Sequence, residues 1–169
     1  MVGALIFEEA IESRAGLLDV RSGSPDRKMQ TKQSCATLHT SGPIHDMTKR
    51  VLDVGNCVPD HGAIRAMLEQ TFAAQVLQGH GHDDTLELLR QEPVDLVLVN
   101  RKLDQDYSDG LEIIRAIKAQ PQLRDIPCML ITNDPDQQDA AVAAGAEYGF
   151  GKKELHAATR RQRLAEFLR

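Results

Sequence analysis

Apolar positions along this chain fall into two rhythms, short continuous runs and stretches at helical spacing, and from Arg50 onward the two alternate. Val51-Leu52-Asp53-Val54 is the first run and predicts a strand. Pro59 follows at a favoured first helical position, with Ile64, Met67, Leu68 and Phe72 at helical spacing behind it. Gln75-Val76-Leu77 is a short second strand, and Asp84 with Glu87 predicts a capping box for a helix carrying Leu86, Leu89 and Arg90. Val94 to Asn100 is the most uniformly apolar run, bounded by Gln91-Glu92-Pro93 and Arg101-Lys102. Such a run predicts a central strand buried on both faces of a parallel sheet.

A polar loop from Arg101 to Ser108 comes next, and Asp109-Gly110 opens a helix with Leu111, Ile114 and Ile117 on one face, ended by Gln120-Pro121. Ile126 to Thr132 predicts the fourth strand. An alanine-rich helix from about Asp136 to Ala144 stops at Gly145, and Glu147 to Phe150 is a short fifth strand. A closing helix over Glu154 to Leu168 buries Leu164, Phe167 and Leu168. Strict alternation of strands and helices with short links implies right-handed crossovers. The expected fold class is α/β: a five-stranded parallel sheet, doubly wound, in the flavodoxin-like order 2-1-3-4-5.

Residues 1–48 lack this regularity. Arg21 to Lys32 holds almost nothing to bury, and the apolar face of Leu5 to Leu18 is thin. The segment reads as a mostly disordered extension before a domain at 49–169, with a tail that folds on a partner as the alternative. Met29 or Met47 is a candidate start of the folded part.

Composition narrows the function. The net charge of −5 argues against nucleic acid as a direct partner. Three widely spaced cysteines, Cys35, Cys57 and Cys128, form no CxxC pair and fit a reducing cytoplasm. The start Val2 to Phe7 is too short for a secretion signal, and no run approaches the roughly 18 apolar residues of a membrane span. No nucleophile–base pair, glycine-rich phosphate loop or complete metal set marks an enzyme, and no cofactor is implied.

In open parallel sheets ligand chemistry sits past the carboxyl ends of the strands, which here means Asn100 and its neighbours. At those ends the chain resembles the receiver domain of bacterial two-component response regulators. Val51-Leu52-Asp53-Val54, Asp95-Leu96-Val97-Leu98-Val99, Asp109-Gly110-Leu111-Glu112, Ile126-Pro127-Cys128-Met129-Leu130-Ile131-Thr132, Gly145-Ala146-Glu147 and Lys152 carry the resemblance, and it spans everything beyond the tail. It implies phosphorylation of an aspartate at the end of the third strand, with Mg²⁺ held by that aspartate and an acidic pair ending the first. A Ser/Thr and a Lys contact the phosphoryl oxygens.

Carried over residue by residue, the acidic pair falls on Gly55 and Asn56, and the acceptor on Asn100. Only Thr132 and Lys152 keep the family's identity. Mg²⁺ prefers carboxylate oxygens, and an amide nitrogen is a poor nucleophile. The loop from Asn100 to Gly110 is about two residues longer than the family pattern and lacks its proline. The usual aromatic switch position is Gly149, flanked by Tyr148 and Phe150, and Lys153 stands where a proline usually follows the lysine. The expectation is a degenerate receiver, or pseudo-receiver, without phosphotransfer: a stand-alone protein–protein interaction module in phosphorelay signalling. Its partner would be a histidine kinase, a phosphotransfer protein or another signalling protein, with the last helices as a homodimer surface. The alternatives are a receiver with a displaced acceptor, such as Asp53 or Asp104, and a sensor of a small ligand or metal in a vacated pocket between Gly55, Asn100 and Thr132.

Other features have plainer readings beside the sharper ones. Lys152 either pairs permanently with Asp53 or Asp134 or points into water, and in the second case Asp53 bonds a backbone amide. Asp104, Asp106 and Asp109 read as a solvated turn with a helix cap, rather than a calcium loop. His80-Gly81-His82 with Asp83-Asp84 reads as a turn before a helix, rather than a transition-metal site. Cys57 reads as a small buried hydrophobe beside a redox alternative. Arg160-Arg161-Gln162-Arg163 reads as a solvated helix face, or one side of a partner surface.

Overall fold

The computed structural model describes residues 48–169; the extension before them, Leu5 to Leu18 included, lies outside the described residues. Five strands, β1 (Arg50–Val54), β2 (Gln75–Gly79), β3 (Leu96–Asn100), β4 (Cys128–Ile131) and β5 (Glu147–Phe150), form one sheet in the order β2-β1-β3-β4-β5. Every neighbouring pair is parallel. The helices are α1 (Val58–Phe72), α2 (His82–Gln91), α3 (Gly110–Ala119), α4 (Pro135–Ala143) and α5 (Ala158–Leu168). This is the flavodoxin-like arrangement that the alternation predicts.

The central strands are apolar on both faces because both are covered. Leu52, Val54, Val97, Val99 and Leu130 point to the side packed by α2, α3 and α4. Val51, Leu96, Leu98, Met129 and Ile131 point to the side packed by α1 and α5. Within this second layer Asp53 is the exception, a carboxylate with 0% exposure on a central strand.

Several boundaries differ from the sequence reading, each for a local reason. β3 begins at Leu96 because the Asp95 carboxylate turns away to accept from the Arg50 N–H at 2.8 Å and from Lys49 Nζ at 3.1 Å. α2 begins at His82, two residues before the expected cap, since Asp84 sits inside the first turn and accepts from the His80, Gly81 and Thr85 N–H groups. α4 begins at Pro135 under the cap of Asp134, whose side chain accepts from the Asp136 N–H. The closing helix is not continuous. A 3-10 turn at Lys152–Glu154 leads into Leu155, which is buried in the α1/α5 layer, and α5 starts only at Ala158.

Between β4 and β5 the register slips: Met129 pairs with Glu147 but Ile131 with Phe150, so β5 carries one extra residue. That bulge lies at Tyr148-Gly149. Gln138 of α4, 3% exposed, holds it. Its side-chain amide donates to the Leu130 and Thr132 carbonyls at 3.1 Å each, and its Oε1 accepts from the Gly149 N–H at 3.0 Å. A Cβ at Gly149 would stand 2.1 Å from the Leu130 carbonyl oxygen, so no side chain fits there. Among the described residues no helix is long and apolar enough to cross a membrane.

Candidate functional site at the carboxyl ends of the strands

The loops leaving β1, β3, β4 and β5 bring Gly55, Asn56, Asn100, Thr132 and Lys152 to the carboxyl edge of the sheet. Asn100 closes β3. Its side-chain N–H₂ donates to the Gly55 carbonyl at 3.0 Å and to the Lys102 carbonyl at 2.6 Å, which ties the end of β3 to the end of β1. The Asp104 N–H reaches the same Gly55 carbonyl at 3.1 Å. An amide can donate in this way and a carboxylate cannot.

Gly55 has φ +71°, a left-handed conformation that glycine adopts without a Cβ penalty. The space beside it is taken. A Cβ at Gly55 would fall 2.1 Å from Leu103 Cδ2 and 3.2 Å from Leu103 Cα. Leu103 is 1% exposed, although the sequence places it in a polar loop. The loop folds over it: Leu103 N–H donates to the Ser108 carbonyl, Tyr107 N–H returns to the Leu103 carbonyl, and Lys102 and Asp109 form an antiparallel bridge. Burying one leucine in this way contributes about 1.5–3 kcal/mol. Asp109 caps α3 through the Leu111 N–H, and Asp106 accepts from Ser108, as a solvated turn with a helix cap requires.

Below the edge lies a buried polar cluster. Asp53 Oδ1 accepts from the Asn56 side-chain amide at 2.7 Å, and Asp53 Oδ2 lies 2.7 Å from His61 Nδ1 on α1. Burial pushes the Asp53 carboxyl above its ordinary range, with the bonds from His61 and Asn56 pulling the other way. Asp53 therefore takes side-chain partners and not the backbone amide that the plainer reading expects. The Asn56 Oδ1 is buried with no partner.

Lys152 pairs with neither Asp53 nor Asp134 and does not stand free in water. Its Nζ donates to Asp60 Oδ2 on α1 at 2.6 Å. The hydrogen bond from Lys152 holds the Asp60 carboxyl below its usual range, and the Cys57 thiol donates to the same oxygen at 3.3 Å. With each side chain more than a third exposed, the pair is worth at most about 1 kcal/mol. Cys57 is thus half-buried and hydrogen-bonded, not a purely apolar filler. Cys128 is the buried thiol, pushed up to about 11 by burial and so inert as a nucleophile. Thr132 Oγ1 accepts from the Asp134 N–H at 3.1 Å.

A family model for the response regulator receiver domain matches residues 57–162. The chain belongs to the response regulator receiver family. The signal receiver domain of a DNA-binding response regulator from Colwellia psychrerythraea is similar at 23% identity and a TM-score of 0.60, covering 70% of this chain and 96% of that one. The receiver domain of a signal transduction histidine kinase from Syntrophus aciditrophicus is 25% identical, with a TM-score of 0.57 over 70% of this chain and 91% of that one. A chemotaxis response regulator of Vibrio cholerae shares 16% identity and a TM-score of 0.57, covering 72% and 99%. No curated protein matches the sequence.

Receivers are two-component signalling modules that work through contacts with other signalling proteins, and generally not as enzymes. The residues at this receiver's edge do not fit the Mg²⁺ that the family implies. Gly55, Asn56 and Asn100 supply no carboxylate, the Asn100 amide turns its donor face to two carbonyls, and Asp53 is sealed and occupied. Among the described residues no group of three or more His, Cys, Asp or Glu side chains is placed to hold a metal ion, the His80 to Asp84 turn included.

His61, Asp60, Leu103 and Gln138 are absent from the sequence reading of this site. Asp60 and His61 carry a weak signal, lying just inside the helix that follows β1, where polar side chains look back at the strand ends.

Proposed function

We propose that this receiver acts in two-component signalling without being phosphorylated, as a protein–protein interaction module. Asn100 stands at the acceptor position, Gly55 and Asn56 at the acidic pair, and Thr132 and Lys152 at the phosphate-contact positions. The observation that carries the reading is the Asn100 amide, donating to Gly55 and Lys102. A carboxylate there would face two carbonyl oxygens. Two further observations support it. Leu103 fills the space an acidic side chain at Gly55 would need, and Lys152 has an internal carboxylate, Asp60, in place of a phosphoryl group.

Leu103 also fills the Gly55 side of the space where a small-ligand pocket between Gly55, Asn100 and Thr132 would open. The partner is a histidine kinase, a phosphotransfer protein or another signalling protein.

The test is an amide NMR titration of the full chain with Mg²⁺, then Mg²⁺ plus beryllofluoride, a phosphoryl mimic that bonds an acceptor carboxylate. No saturable shift is expected at Gly55, Asn100, Thr132 or Lys152. Sub-millimolar shifts at these positions would overturn the reading. Their loss in Asp104→Asn would then point to a displaced acceptor, since Asp104 is exposed and its N–H already touches Gly55.

A further inference from the structure

Arg160 contradicts the reading of Arg160 to Arg163 as a solvated face. It is 4% exposed, and its Nε and Nη1 are buried without a hydrogen-bond partner. Burial and the neighbouring Arg161 charge pull its pKa down, yet a guanidinium stays charged near neutrality. An unpaired buried cation is costly, and native structures normally supply it with an anion.

Arg160 lines a cleft of about 480 Å³ between α1 and the start of α5. Ala63, Ala66 and Met67 of α1 make an apolar wall, with Gln70 beside them. His156, Ala157 and Arg161 come from the other side. Among the described residues no carboxylate lines the cleft, in a chain whose net charge is −5. The helix start adds to this. Ala157 is the N-cap of the 11-residue α5 and gives it no side-chain cap. The first-turn N–H groups lack the acceptor that a Ser or Asp cap would provide, and the positive end of the helix dipole faces the same region. A buried guanidinium with unpartnered donors, a second arginine and an uncapped helix start meet at this cleft, a combination that suits an anion.

We infer that this cleft binds a phosphate-bearing small molecule with an apolar body. The phosphate would sit against Arg160 and the start of α5, and the apolar part on Ala63, Ala66 and Met67. A dianion suits the two arginines better than a monocarboxylate, since a phosphate monoester carries most of its second charge at neutral pH. The cleft shares no lining residue with the Lys152–Asp60 pair and does not depend on the phosphorylation reading.

The test is thermal unfolding of the full chain in sodium phosphate and in phenyl phosphate, against sodium chloride at matched ionic strength. Amide shifts locate any binding. A saturable rise in melting temperature is expected with both phosphates, with phenyl phosphate binding several-fold more tightly. Shifts should centre on residues 63–71 and 156–161. Arg160→Met should melt at or above the parent temperature without phosphate, because it removes an unpaired buried charge, and should lose the phosphate response. Gln70→Glu keeps Arg160 but adds a competing carboxylate at an exposed position, so it serves if Arg160→Met does not fold; it too should lose the response. Lys152→Met should retain it. Absence of a saturable rise, a rise that survives Arg160→Met or Gln70→Glu, or a rise lost in Lys152→Met would overturn the proposal.

Discussion

Leu103 occupies the space in which any side chain at Gly55 would have to stand. The two residues are therefore coupled, and the coupling is measurable. Gly55→Ala is expected to cost about 2–4 kcal/mol, from about 1–2 for a Cβ in the left-handed region and the rest from overpacking. In a Leu103→Ala background, itself about 2–5 kcal/mol less stable, the same change should cost only the backbone part. Urea unfolding of the four proteins gives the cycle. Strict additivity would mean that Leu103 yields freely and does not fill the site.

Asn100→Asp places a carboxylate at the end of β3 without adding one at Gly55 or Asn56. The change removes donors to the Gly55 and Lys102 carbonyls, with an expected loss of about 1–3 kcal/mol. Small phosphodonors with Mg²⁺ should still fail to label the variant, because Gly55 and Asn56 bring no carboxylate to help hold the ion. A variant as stable as the parent would deprive the Asn100 amide of its structural role.

These two sites show what can be read in advance and what cannot. The strands were legible because continuous apolar runs have only one comfortable home, between two helix layers. Asn100, Thr132 and Lys152 followed, since they sit at strand ends whose register the pattern determines. Leu103 was not legible. A single leucine among Arg101, Lys102, Asp104 and Asp106 has no periodicity, and only the closed loop reveals that it points inward. Arg160 escaped for the opposite reason. Four consecutive polar residues look solvated until the start of α5 is known, and neither Gly nor Pro marks the break at Leu155 to Ala157. The choice of Asp60 over Asp53 or Asp134 as the partner of Lys152 is purely tertiary.

Asp53 should give stability a distinctive pH dependence. Burial raises its carboxyl above the ordinary 3.8, so the folded state holds this proton more tightly than the unfolded chain does. The associated stability is complete below about pH 3.8 and is lost as pH rises through the raised value. Asp53→Asn is nearly isosteric and cannot ionise. A flip of the Asn56 amide would offer it the now unpaired Oδ1. The difference in unfolding free energy, parent minus variant, should therefore fall from about pH 4 upward. Parallel profiles for the two proteins would show that the carboxylate is not strained by its burial.

Gln138 is the third structural amide. Replacing it with leucine removes a hydrogen-bond partner from each of the Leu130 and Thr132 carbonyls and the Gly149 N–H at the β5 bulge. A loss of about 3 kcal/mol or more is expected from chemical denaturation. Amide exchange should speed up first at Gly149. A loss under about 1 kcal/mol would mean that water replaces all three bonds.

The Lys152–Asp60 pair joins residues 92 positions apart in one chain. Its partner is thus always present, at a local concentration set by the fold and not by any metabolite or enzyme. Ionic strength and acidity can loosen it. On the proposed reading, changing the supply of a phosphodonor cannot.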